Sequence, residues 1–159
     1  MTTNTLQLQQ QLQQELELTQ ALQQCLGKER KALEQQDTES LVENANHKGQ
    51  LVQQLEAAAR QRENLLTQAG YAADREGMQQ LLAGNKHSQL EDIWQKLSSA
   101  AEQCRAENRQ LGMLIQREQG SVRQAQHILQ RGAPADNHSY NASGQSNSSA
   151  AKSRNIGKA

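Results

Sequence analysis

The chain has 159 residues, 35% of them hydrophobic, with no Phe, one Trp and two Tyr, and its 17 basic and 17 acidic residues leave no net charge. That balance excludes the basic stripe a nucleic-acid backbone requires and gives no attraction to an anionic membrane surface. So few aromatics argue against a compact globular core but suit a long bundle, where a narrow Leu/Ala seam between helices suffices.

Residues 1–14 are rich in Gln and Leu and uncharged, without the basic start and apolar run of a secretion signal. No stretch approaches the ~20 apolar residues of a membrane span, so a cytoplasmic protein is expected. The 28 glutamines are interleaved with Leu at helical spacing, which favours soluble helix over a low-complexity tract.

A first helix is expected from about Leu6 to Gln36. Leu8, Leu12, Leu22, Leu26 and Leu33 form its 4-3 seam, widened by Leu16, Leu18 and Cys25, and shared with Glu15, Thr19 and Glu29. Asp37-Thr38-Glu39-Ser40 then resembles a helix start, with Asp37 or Thr38 as N-cap, although no Gly or Pro separates a turn from a continuation. In the second helix Leu41, Ala45, Lys48, Val52, Leu55, Ala59, Arg62 and Leu66 alternate by 4 and 3, flanked by Val42, Leu51, Ala58 and Leu65. Lys48 and Arg62 interrupt this seam. Either their stems pack while the charges reach water, or they set register by pairing with Glu15 or Glu29.

Ala69-Gly70-Tyr71 offers a Gly C-cap, and a short helix over about Arg75 to Ala83 follows, closed by Gly84-Asn85. Ser88-Gln89-Leu90-Glu91 fits a capping box, opening a third long helix to about Arg131, about 65 Å at 1.5 Å per residue. Its seam runs through Leu90, Trp94, Leu97, Ala101, Cys104, Asn108, Leu111, Ile115, Glu118, Val122, Ala125 and Leu129, with Ile93, Leu114 and Ile128 adjacent. Beyond Asn108 the seam thins and carries Gly112 and Gly120, each costing about 1 kcal/mol against Ala in a helix interior. That half is expected to be marginal alone and suited to fold against a partner. The only proline, Pro134, precedes 25 residues whose large apolar side chains are Tyr140 and Ile156 alone, a segment expected to be disordered.

The expected fold is all-α: an elongated antiparallel bundle of three long helices plus a short connecting helix over 1–131, and a flexible tail over 132–159. No catalytic, cofactor or metal motif is legible: the four His are far apart, no Cys-x-x-Cys occurs, and neither a phosphate loop nor a Gly-x-Ser-x-Gly elbow is present. The expectation is a binding protein, not an enzyme, with Cys25 and Cys104 as reduced, partly buried thiols.

Several segments resemble one family. Glu29-Arg30-Lys31-Ala32-Leu33 with Asp37 and Leu41, then Lys48, Leu51 and Leu55, then Arg62-Glu63-Asn64-Leu65-Leu66, are similar to the N-terminal half of FlgN-type flagellar export chaperones. Trp94-Gln95-Lys96-Leu97 resembles that family's Trp-x-x-Leu. Asn108-Arg109-Gln110-Leu111-Gly112 resembles its Asn-x-x-Asn-Gly, with Leu111 replacing the second Asn. Tyr140-Asn141-Ala142-Ser143-Gly144-Gln145 looks like its Tyr-Gly-x-x-Gly-Gln tail element, Asn141 departing from Gly, and Ile156-Gly157-Lys158-Ala159 fits its close.

The resemblance implies a cytoplasmic chaperone that holds hook-associated proteins, those of the hook–filament junction, and delivers them to the cytoplasmic domain of the flagellar export gate. The client would lie on the C-terminal amphipathic helix, at Leu111, Leu114, Ile115, Val122, Ile128 and Leu129, and Tyr140 would contact the gate. No cofactor, nucleic acid or membrane insertion is implied, and the protein is expected to be a monomer or weak homo-oligomer. The alternative is a self-associating coiled-coil scaffold.

Overall fold

The computed structural model of the chain describes residues 3–84 and 88–136. They form four helices, α1 (Thr3–Glu34), α2 (Thr38–Gln68), α3 (Arg75–Gly84) and α4 (Ser88–Asp136), with no strand among the described residues. The all-α expectation of three long helices and one short one holds. The chain divides into two compact units, Met1–Gly112 and Met113–Ala159.

The turns are built by backbone capping. After α2, Gly70 sits at φ 85°, its N–H donates to Thr67 O at 3.0 Å, and Tyr71 N–H donates to Leu66 O at 3.0 Å. This is the paired-carbonyl stop that a left-handed glycine allows, and Tyr71 packs against the core containing Leu66. The α1 stop has the same bonds, Gln36 N–H to Leu33 O at 3.2 Å and Asp37 N–H to Ala32 O at 2.9 Å, but its left-handed residue is Gln36 at φ 55°. Asp37 then caps α2: Oδ1 accepts from Ser40 N–H at 3.1 Å and Oδ2 from Ser40 Oγ at 2.6 Å. These bonds hold the Asp37 carboxyl below its ordinary range. At α3, Asp74 Oδ1 accepts from Gly77 N–H at 2.7 Å, and the Ala72 backbone lies where a side chain on residue 77 would begin. α4 continues past the expected end near Arg131 to Asp136, with Pro134 in its last turn, where a proline removes one helix bond while its φ stays helical.

Within the first unit, polar contacts give the register. Three α1–α4 side-chain pairs, Gln9–Gln89, Gln23–Gln103 and Arg30–Gln110, share a spacing of 80 residues, so these helices run parallel. α2 runs the other way. Advancing two heptads along α1, from Glu15 to Glu29, moves the partner two heptads back along α2, from Arg62 to Lys48, each pair at 3.0 Å. The same two cations reach α4: Arg62 stands 5.4 Å over the Trp94 ring and Lys48 Nζ lies 3.1 Å from Asn108 Oδ1. Of the two readings of Lys48 and Arg62, the pairing with Glu29 and Glu15 is observed.

The buried face of α2 is Asn44, Leu51, Ala58 and Leu66, while Val52 (38% exposed) and Ala45 on the expected seam face solvent. The difference follows from α2 having two neighbours: the Asn44–Leu51–Ala58 track meets α1, and the Lys48–Leu55–Arg62 track turns toward α4. Asn44 is satisfied in the core, donating from Nδ2 to Cys25 O at 2.9 Å and accepting the Cys25 thiol on Oδ1 at 3.3 Å. Cys104 donates to Thr19 O at 3.5 Å. Both cysteines are free and buried, and burial pushes both thiols above their ordinary range. A core cluster of Leu8, Leu12, Leu16, Leu66, Met78, Leu81, Leu90, Leu97 and Ala100 joins α3 to the long helices.

Burial pushes the Glu15 carboxyl above the ordinary glutamate range, more strongly than the Arg62 guanidinium pulls it down. Arg62→Ala leaves that buried carboxylate without its cation and should cost about 3 kcal/mol in urea unfolding. Lys48→Ala, whose pair is more open to solvent, should cost no more than about 1 kcal/mol. Folded Glu15 holds its proton more tightly than the unfolded chain does, so its contribution is fully present below the unfolded pKa and declines as pH rises through the folded value. The stability of the native chain relative to Glu15→Gln should therefore increase on acidification from neutrality; a decrease would mean that the Arg62 attraction outweighs burial.

Candidate functional site

The seven positions singled out in the C-terminal part of the chain fall into different environments. Leu111, in the first unit, is 1% exposed and belongs to the core. Leu114 and Ile115 are half-buried. Val122, Ile128 and Leu129 stand 56%, 61% and 73% exposed, and every residue from Gln116 to Gln130 is exposed. Tyr140 lies outside the described residues, as does the rest of the expected tail beyond Asp136.

Helical periodicity gathers the exposed residues. Ile115, Val122 and Leu129 recur every seven residues and Leu114 and Ile128 are two heptads apart, so within α4 they share one face that drifts by ~20° per heptad. The stripe is about 22 Å long from Leu114 to Leu129. Glu118 and Ala125 complete its 4-3 track. The apolar side chains thus lie in one row along the helix, interrupted by Glu118, and are not scattered around it.

Gly112 and Gly120 are not needed for space, because a Cβ at either position would meet open surroundings. Their effect is on propensity, about 1 kcal/mol each against Ala. No ion pair ties down Arg117, Glu118 or Arg123 among the described residues.

The arrangement offers apolar area on a helix of low propensity. Among the described residues no group of three His, Cys, Asp or Glu is placed to hold a metal ion, and no helix is long and apolar enough to cross a membrane. Asn44 escaped sequence reasoning as a core residue, although its heptad spacing to Leu51, Ala58 and Leu65 was a legible signal.

A family model described as FlgN protein matches residues 1–148, nearly the whole chain. No curated protein and no solved structure matches.

The exposures divide the stripe energetically. Leu111→Ala should leave a cavity and cost about 2–5 kcal/mol in thermal or urea unfolding followed by circular dichroism. Val122→Asp and Leu129→Asp should stay within about 0.5 kcal/mol of the native chain, and large losses would place those residues in a core.

Proposed function

Because the chain belongs to the FlgN protein family, whose members are flagellar export chaperones, we propose that it holds hook-associated proteins in the cytoplasm and delivers them to the flagellar export gate. The observation that supports this reading is the row of exposed apolar side chains on α4, Val122, Ile128 and Leu129. An amphipathic helix of a client covers such a row by laying its own apolar face along it. Leu114 and Ile115 extend the contact at its half-buried end. Leu111 joins it only when a client draws it from the core.

The thin seam and the two unneeded glycines leave this surface adaptable, which favours a transient holder over a permanent partner. Tyr140 is the proposed gate contact, a single aromatic that brings large contact area at low entropy cost. The client and gate sites then lie on opposite sides of Pro134, so both partners are held together.

In light scattering the native chain should form a one-to-one complex with a hook-associated protein, and Val122→Asp/Leu129→Asp should abolish it without loss of helicity. A stable homo-oligomer indifferent to such clients would instead support the coiled-coil scaffold. Tyr140→Ala should spare client binding and lower binding to the gate's cytoplasmic domain and export of the client; unchanged secretion removes the anchor role.

A further inference from the structure

In the first unit α1 and α2 form the close helix pair. α4 is linked to α2 by long polar side chains, Lys48 reaching Asn108 and Arg62 lying over Trp94. Helices bridged at that reach leave space between them. A cleft of about 660 Å³ opens there, within the ~300–1,000 Å³ usual for binding sites. Its floor is Thr19 and Leu22 of α1, and its walls include Leu55 and Ala59 of α2 and Trp94 and Ala101 of α4. All but Thr19 are half-buried, so the apolar lining is incompletely covered.

Three arginines surround this lining. Arg62 is committed to Glu15. Arg105 is exposed and paired only with Glu102 of its own helix at 3.4 Å, a surface contact worth under about 1 kcal/mol and easily exchanged. Arg75 is exposed and makes no ion pair among the described residues. Glu15 and the exposed Glu102, the partners of Arg62 and Arg105, line the same cleft, so it presents an apolar trough with three cations against two acids, Arg75 unpaired among the described residues and Arg105 exchangeable. Trp and Arg are also the residue types that carry most binding energy where they are drawn into a covered contact.

We propose that this α2–α4 cleft docks an amphipathic helix of a partner protein, its apolar stripe lying on Leu55, Ala59 and Ala101 beside Trp94 and its acidic side chains pairing with Arg75 and Arg105. Two antiparallel helical walls accept a fourth helix in ordinary bundle packing. The cationic rim selects acidic over basic helices. The cleft shares no residue with the apolar face of α4 at Leu114–Leu129, so the two surfaces are separable.

Trp94 is the chain's sole tryptophan, so its fluorescence reports the cleft directly. The probe is a synthetic helical peptide of about 18 residues, five turns, with a Leu stripe flanked by Glu, compared with the same peptide carrying Lys for Glu. The Glu peptide should change Trp94 emission saturably, and the Lys peptide should bind at least about tenfold more weakly. In the full chain Arg75→Glu/Arg105→Glu should reverse this preference with helicity intact, while Val122→Asp/Leu129→Asp should keep the native response. Equal affinity for the two peptides, no emission change, or an unaltered preference in the charge-reversed variant overturns the proposal. So does a dimer in light scattering that the Glu peptide dissociates, which would give the cleft to a second copy. Loss of hook-associated clients in the α4 variant with the cleft response retained would separate the two sites.

Discussion

The bundle depends on two cation–acid levels, Glu15–Arg62 and Glu29–Lys48, spaced two heptads apart and each bridged onward to α4. A Leu/Ala seam is nearly degenerate under a heptad slip, because one Leu replaces another at almost equal cost. The charges remove that degeneracy. Sliding α2 by one heptad along α1 would set Arg62 against Leu22 or Leu8 and leave Glu15 without a cation in a buried position. A slip of two heptads could keep only one of the two pairs. Since a partly buried ion pair contributes little net stability, its value here lies in specifying one alignment of three otherwise similar helices.

Much of this was legible because it rests on local chemistry. Gly70 announced its left-handed stop, α4 begins at the expected Ser88, and of the two candidate caps, Asp37 and Thr38, Asp37 is the one that caps α2. The end of α1 was not legible, because Gln36 occupies a conformation that glycine usually signals, held there by the bonds of Gln36 and Asp37 to the preceding turn. The buried face of α2 was misplaced for a different reason. A single hydrophobic seam assumes one neighbour, whereas α2 faces α1 through Asn44, Leu51 and Ala58 and α4 through Lys48, Leu55 and Arg62. Periodicity alone does not say how many partners a helix has. For the candidate site, the Val122–Leu129 row was readable from spacing, but the boundary that separates buried Leu111 from exposed Val122 depends on tertiary packing.

α4 combines two materials in one helix. Up to Leu111 it carries core residues, and from Gln116 onward it carries apolar side chains facing water. No change in helical period marks the transition. What changes is the density of the seam and the presence of glycines that serve no steric purpose.

The offset of 80 residues shared by three side-chain pairs along α1 and α4 limits how such a chain can change in length. One residue inserted in any long helix would rotate everything beyond it by about 100° and break the contacts of that helix with both neighbours. Growth or shortening of the bundle must therefore come as whole heptads, added at the same level of α1, α2 and α4 together. Single-residue length changes are confined to the turns between helices and to the stretch after the bundle. In this architecture length is effectively quantised.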